Sequence, residues 1–428
     1  MRRLIASPLF RNVVVVASGA AAGQAVAFAF SPLITRIYGP ETFGLQAVFL
    51  SLISILGPAV ALRYPMAIII AEDESDARDL ERLSLMVAFV LSCLVGLVLL
   101  SAQGKILAAL GAEALGSLIW FLPLALFFTA WQDVAEYRVA RLGGFRLFGI
   151  VAVIQAVLTN LARVLGGLAA PIAGILVGVT SVTPAVQTAL LSFGIRGRGC
   201  FTRPLRVRRA LMLLRKHRDF PVYRVPTDVL NAASQSVPII LLTTFFSPAA
   251  AGLYSLSRSV LGLPLNLIGA SMGNVLYARF AELDRNGKAL MPLLLRMTGY
   301  MLLLFPIIVG LSWFAPPIFA FAFGEDWREA GYYARWMSIW VGFSVANTPS
   351  IRISPVIKAQ NLLLQINILI LAARILSMIG VFWSGGGEVA AVAAFSLVSV
   401  VSNAGLILAI LAAARRRDVN TAARVSAE

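Results

Sequence analysis

The sequence predicts an all-α integral membrane protein of about twelve transmembrane helices, arranged as two six-helix lobes with the N- and C-termini cytoplasmic. Three observations predict this. First, 59% of the 428 residues are hydrophobic and only 13% are charged, against roughly a quarter charged in a soluble domain. Second, apolar runs recur from end to end, many of them near the roughly 20 residues needed to cross a hydrocarbon core as a helix. Third, the basic residues concentrate in alternate gaps between those runs.

The expected spans fall at 12–35, 43–70, 83–101, 114–130, 147–166 and 168–193, then at 227–246, 251–278, 292–314, 331–349, 361–383 and 389–412. With Met1 inside, the cytoplasmic gaps hold 27 of the 36 Lys and Arg residues; the outer gaps hold Arg36, Lys105 and Arg328. Basic loops stay on the cytoplasmic face, so this bias sets the orientation and asks for an even number of spans. It also explains the net charge of +16 without nucleic acid as a partner. Arg2, Arg3 and Arg11 before an apolar run imitate a signal peptide, but the run 12–34 is too long for one and leads into a second span.

The expected organisation is an N-terminal six-helix lobe over 1–195, a basic cytoplasmic linker over 196–226, a C-terminal six-helix lobe over 227–412 and a basic cytoplasmic tail over 413–428. Between 196 and 224 the linker carries ten Arg and Lys and a single acid, Asp219. Its stretch 207–214 suits an amphipathic helix on the membrane surface. The linker reads either as a positive-inside connector or as a lipid-headgroup contact. A short internal repeat links the lobes: Pro40-Glu41-Thr42-Phe43-Gly44-Leu45 and Pro248-Ala249-Ala250-Ala251-Gly252-Leu253 stand 208 residues apart. Two repeated six-helix bundles are a common transporter plan.

Cys93 lies in an apolar run and Cys200 in the basic linker, so neither a disulfide framework nor a metal site is expected. The single histidine, His217, sits among Arg215, Lys216 and Arg218, which should hold it neutral in a solvated position. There is no phosphate-cradling glycine loop, zincin motif or nucleophile elbow, so the chain reads as a transporter and not an enzyme. The pairs Gly19/Gly23, Gly174/Gly178 and Gly269/Gly273 have the spacing that lets membrane helices approach closely.

The informative residues are charges inside spans, each costing at least about 2.5–3.5 kcal/mol at the bilayer centre. Arg63 lies late in span two, Arg258 in span eight and Arg36 at the end of span one. Arg163, Arg296 and Arg374 also have apolar surroundings. Each either snorkels to an interface or faces a wet cavity. Along span eight, Arg258, Gly262, Asn266, Ala270 and Asn274 succeed one another at steps of four and share one helix face; it reads as a cavity lining or as a hydrogen-bonded helix interface. Gln24 and Ser31 are sparser equivalents in span one. Asp228, with Asn231 and Gln235, opens span seven and reads as a proton or cation site or as an arginine's salt-bridge partner. Acids are scarce at membrane depth, and guanidinium groups suit an anionic substrate because they bind phosphate bidentately.

The N-terminal part resembles the polysaccharide or O-antigen flippase family of the multidrug/oligosaccharidyl-lipid/polysaccharide (MOP) exporter superfamily. The residues that carry the resemblance are Gly23-Gln24, then Ser31-Pro32-Leu33-Ile34-Thr35-Arg36-Ile37-Tyr38-Gly39-Pro40, Phe43-Gly44, Leu62-Arg63-Tyr64 with Ala67-Ile68, and Glu72-Asp73. Phe323-Gly324-Glu325-Asp326-Trp327 before Ala330-Gly331 resembles the family's outer loop. The resemblance implies a fold of the kind shared with multidrug exporters. It implies alternating-access flipping of undecaprenyl-diphosphate-linked oligosaccharide from the cytoplasmic to the outer face of the bacterial inner membrane. It places the diphosphate in a cationic cavity. The substrate-binding residues expected on this basis are Arg36, Arg63, Arg258, Gln24 and Asn266, with Asp228 the ion-coupling candidate. No cofactor is expected beyond an ion gradient or the membrane potential. The expected partners are the lipid-linked oligosaccharide, membrane lipid, and a polymerase and chain-length regulator of the same pathway. The first lobe shows no obvious intramembrane carboxylate. Two other readings stay open: a multidrug or cation antiporter of the same superfamily, and a membrane glycan polymerase or ligase.

Overall fold

The computed structural model describes residues 8–194, 207–357 and 359–425, and every regular element among them is helical. The long helices are α1 (Pro8–Ile37), α2 (Pro40–Val60), α3 (Glu74–Ala109), α4 (Phe121–Arg141), α5 (Phe145–Ala169) and α6 (Ala173–Gly194). A short α7 (Val207–Lys216) comes next. Then come α8 (Val225–Phe245), α9 (Pro248–Arg285), α10 (Met291–Leu302, resumed as Leu304–Ser312), α11 (Arg328–Ala346), α12 (Gln360–Trp383) and α13 (Glu388–Val425). A helix thus overlies each of the twelve expected spans.

Nine helices among the described residues are long and apolar enough to cross a membrane. The helices over the seventh, eighth and tenth expected spans fall outside that group. α8 carries Asp228, Asn231 and Gln235, and α11 carries Arg328, Glu329 and Arg335. On α9 the side chains of residues 264–275 are outside the described set, and Gly269 and Gly273 lie there.

The chain divides into two compact units, Met1–Gly252 and Leu253–Glu428. The first unit includes α8, which packs along α2. There α1 lies against α5 at very short range: a Cβ on Gly19 would stand 2.1 Å from Gly149 Cα, and one on Gly23 2.9 Å from the Ala152 carbonyl oxygen. Only glycine permits this approach. The expected packing role fails at Gly178, which faces open space; its spacing matched the pattern, but no neighbouring helix meets it.

The internal repeat has a physical counterpart. A Cβ on Gly44 would stand 1.7 Å from the Pro248 carbonyl oxygen, and one on Gly252 would stand 1.9 Å from the Pro40 carbonyl oxygen. The first turns of α2 and α9 therefore cross backbone to backbone, each matched glycine against the other motif's proline.

The end of this unit where α3 begins and α4 finishes is laced by charges. Arg138 pairs with Glu74 and Glu81, Arg209 with Asp76 and Asp79, and Lys216 with Glu72. Arg141 Nη1 donates to the carbonyls of Ile68 and Ala71 at 2.7 and 2.8 Å, capping the short helix Ala67–Ile70. α7 docks here through Leu213, fully buried in a cluster with Ala67, Ile68, Leu80 and Val134, while Leu211 and Met212 stay exposed. His217 is also buried, correcting the solvated position expected from its basic neighbours: the turn after α7 folds it against Phe220.

In the second unit, Trp327 is 1% exposed, and a Cβ on Gly331 would stand 2.3 Å from Pro316 Cα. Ser257 Oγ donates to the Ala330 carbonyl at 2.6 Å. The outer-loop motif around Trp327 is thus a packing element. Asp418 accepts the N–H groups of Leu290 and Met291, each at 2.9 Å, satisfying donors left unpaired at the start of α10. α13 continues to Val425, so most of the stretch 413–428 is helical.

Candidate functional site

α2 ends at Val60, and the chain turns sharply. Leu62 and Arg63 both adopt left-handed backbone conformations, φ 48° and 57°. Each such non-glycine residue costs about 1–2 kcal/mol. Burial of the next residues holds the turn in place: Tyr64 and Pro65 are buried in the short helical turn Tyr64–Met66, and Ala67 and Ile68 are fully enclosed.

This break presents Arg63 to two acids on other helices. Its Nε donates to Asp228 Oδ2 on α8 at 2.8 Å, and its Nη1 lies 3.4 Å from Asp133 Oδ2 on α4. Arg224, one turn before Asp228, reaches the same Asp228 oxygen at 3.2 Å. Two guanidinium groups and two carboxylates meet, and their formal charges cancel. The Arg63, Asp133 and Asp228 side chains are only 22%, 25% and 14% exposed, so water screens the cluster far less than a surface pair. One turn on from Asp133 along α4, Glu136 Oε1 accepts from Gln132 Nε2 and Gln187 Nε2, both at 2.8 Å. Neither amide carries a charge.

Asp133 and Glu136 are partly buried carboxylates of the first lobe on a helix that continues past the expected span. The expected span stopped at 130 because charges begin at 133, but α4 runs on to Arg141. The missed signal was periodicity: Leu122, Ala125, Leu126, Ala130, Val134 and Val139 are all buried and keep helical spacing past the first acid.

Within the first unit the expected site residues stand apart. Arg36 is exposed in the last turn of α1, just before α2 begins. Arg63 stands just beyond the other end of α2, whose 21 residues span about 30 Å at 1.5 Å each. Gln24 is exposed on α1, about 18 Å along the helix from Arg36. Arg258 is half-buried on α9 in the second unit. Asn266 is on the same helix, its side chain outside the described set. Of the two roles open to Asp228, the structure displays the arginine partner.

The other span arginines separate by environment. Arg296 is exposed. Arg335 donates to the Trp313 carbonyl and lies over the Trp313 and Tyr332 rings, as interfacial arginines do. Arg163 on α5 has the Thr180 hydroxyl 3.4 Å from Nη2. Arg374 on α12 donates from Nε to Ser399 Oγ at 2.9 Å and lies over Phe395.

A family model described as "Polysaccharide biosynthesis protein" matches residues 33–331. The succinoglycan biosynthesis transport protein ExoT of Rhizobium meliloti (strain 1021) is 24% identical over 307 residues, which are 71% of this chain and 60% of that protein. The match therefore spans less than two thirds of that relative's length. Among solved structures, the lipid II flippase MurJ in its inward closed conformation superposes with a TM-score of 0.74 at 11% identity, covering 95% of this chain and 90% of MurJ. A mutant of the Vibrio cholerae MATE transporter VcmN superposes with a TM-score of 0.57 at 17% identity, covering 95% of this chain and 96% of the transporter. These likenesses establish a fold shared with MurJ and MATE transporters. With the family match covering most of its length, the chain belongs to the polysaccharide biosynthesis protein family.

Proposed function

We propose that the chain is a flippase that moves undecaprenyl-diphosphate-linked oligosaccharide from the cytoplasmic to the outer face of the bacterial inner membrane, by alternating access, for polysaccharide assembly. The carrying observation is Arg63, a guanidinium drawn into a helix bundle at the end of an apolar helix and balanced there by carboxylates. The family match, the transport role named for ExoT and the MurJ-like fold support the reading.

In the orientation given by the basic loops, Arg63 belongs to the cytoplasmic half and Arg36 to the outer end of the same helix pair. The diphosphate meets them in sequence, first Arg63 and last Arg36. To receive it, Arg63 exchanges Asp133 and Asp228 for phosphate oxygens, a bidentate anion for two single carboxylate contacts. Arg224, 52% exposed, remains to hold the released Asp228. Protonation of Asp133, which loosens its hold on Arg63, favours that exchange and couples substrate loading to an ion gradient. The oligosaccharide then passes to the polymerase and chain-length machinery outside.

Glu136, held by the neutral amides of Gln132 and Gln187, favours a second reading, a cation antiporter of the same superfamily. One experiment separates the two. Arg63→Gln in cells lacking the wild-type chain should stop polymer export, with lipid-linked repeats accumulating on the inner leaflet and the protein retained in the membrane. Full export by the variant removes Arg63 from the mechanism, and efflux of cationic dyes dependent on Glu136 favours the antiporter.

A further inference from the structure

The first unit holds a second arginine in an environment opposite to that of Arg63. Arg163 Nε is enclosed and has no hydrogen-bond partner, and the rest of the guanidinium meets the Thr180 hydroxyl at 3.4 Å. That hydroxyl oxygen accepts from Gln46 Nε2 on α2 at 2.9 Å. Tyr38 lies within electrostatic reach of Arg163, but its hydroxyl donates to the Arg163 main-chain carbonyl at 2.9 Å. Among the described residues, the groups around this guanidinium are thus hydroxyls and an amide, and none neutralises a positive charge.

The second unit repeats the arrangement. Arg374 lies on the eleventh expected span as Arg163 lies on the fifth. Ser399, its hydroxyl partner, lies on the twelfth as Thr180 lies on the sixth. Tyr254, 208 residues after Gln46, is within electrostatic reach of Arg374, as is Arg258. Arg374 Nε is satisfied by Ser399, and the ring of Phe395 is 5.2 Å from the guanidinium carbon. A half-buried guanidinium with neutral partners has desolvation to offset and unused donors to fill. Its occurrence once in each unit, on the fifth and eleventh expected spans and facing a hydroxyl of the span that follows, marks it as a built feature.

We propose that Arg163 and Arg374 are phosphate-binding residues, one in each unit, and that the Arg163 site lies in the opposite half of the first unit from Arg63. Gln46 and the end of α2 at Val60 are 14 residues apart, about 21 Å, and Arg63 lies beyond that end. Asp133 and Asp228 compete for Arg63, whereas a phosphate reaching Arg163 displaces only hydroxyl contacts. Within the transport reading, on which the identity of the anion rests, this gives the diphosphate a station with no carboxylate to expel after it leaves Arg63.

The test uses the full chain in neutral detergent with inorganic diphosphate as the probe, binding measured by calorimetry at low salt. Arg163→Gln and Arg374→Gln should each weaken diphosphate binding at the altered unit at least tenfold. Arg163→Lys and Arg374→Lys keep the charge but lose the fork and should fall between. These variants also cover the case in which a glutamine variant fails to fold. Diphosphate binding unchanged in both glutamine variants, or in both lysine variants if the glutamine variants do not fold, overturns the proposal. Repeating the measurement in nanodiscs of phosphatidylcholine, with and without phosphatidylglycerol, assigns the source of the phosphate. Competition by phosphatidylglycerol lost in Arg163→Gln makes it a lipid headgroup; diphosphate binding indifferent to phosphatidylglycerol makes it the diphosphate of a substrate. Failure of the transport reading has its own signature, polymer export undiminished in cells that lack the chain altogether, with Arg163-dependent diphosphate binding intact.

Discussion

The Arg63–Asp228 contact can be probed by a double-mutant cycle of Arg63→Gln, Asp228→Asn and the pair. The contact is 2.8 Å long between side chains 22% and 14% exposed, so it is a partly buried charge-assisted hydrogen bond, worth about 1.5–3 kcal/mol; an exposed pair gives about 0–1 kcal/mol. The Asp133 contact, at 3.4 Å, is longer and adds less. Asp228→Asn leaves Arg63 with Asp133 alone and removes the carboxylate that stood between Arg63 and Arg224, which adds repulsion to the lost bond. The expected coupling energy is about 2 kcal/mol, roughly thirtyfold in an equilibrium constant. Each single variant should melt about 4–8 °C lower, at 2–4 °C per kcal/mol for a unit of this size. Thermal denaturation of the four proteins in detergent measures the coupling. The same variants should separate in ligand binding: Asp228→Asn removes a competitor for the guanidinium and strengthens diphosphate binding there, whereas Arg63→Gln weakens it. Additive effects on melting, with coupling below about 0.5 kcal/mol, would refute the claim that these charges form one unit.

Other parts of the fold allow two more predictions. Burial, and then the neighbouring Lys216 charge, holds His217 below its ordinary value of 6.5, while the hydrogen bond and charge of Lys216 hold Glu72 below its ordinary value of 4.5. Both depressed groups stabilise docking of α7 at neutral pH. As pH falls through 6.5 the undocked form takes up the histidine proton first, so docking weakens, and the Glu72 contribution goes only below 4.5. Hydrogen exchange of amides 207–216, corrected for intrinsic rate, should be faster at pH 5.5 than at 7.5, and His217→Gln should flatten the difference. At the crossing of α2 and α9, Gly44→Ala or Gly252→Ala forces backbones apart and should cost about 1–3 kcal/mol or more. Gly178→Ala, facing open space inside α6, should be neutral or stabilising by up to about 1 kcal/mol, as read by melting temperature.

The helices were legible because the bilayer imposes length and hydropathy on each span, and the repeat was legible because glycine and proline mark the same turn twice. Helix limits near charges were less visible. Asp133 looked like the start of a loop, yet Arg63 lies within reach of it, a long-range pairing that no local pattern encodes. The separation of Arg36 and Arg63 was not legible for a related reason: both carry motif positions, but the whole of α2 stands between them. Arg163 was seen as a charge in an apolar run, and only coordinates could show that its partners are hydroxyls. His217 was read from its basic neighbours in sequence, whereas burial after α7 sets its state.

The reciprocal crossing of Gly44 and Gly252 restricts how these helices can move. A contact made by main-chain atoms alone, flanked by Phe43 and Leu45 on one side and Ala251 on the other, has no smooth track for sliding: a shift of one residue drives a side chain into a carbonyl. It does tolerate swivelling, because nothing projects from the contact point to catch. The two prolines and two glycines thus form a fulcrum for α2 and the first turn of α9. A single-residue insertion between the proline and glycine of either motif would unseat it while leaving each helix as apolar as before.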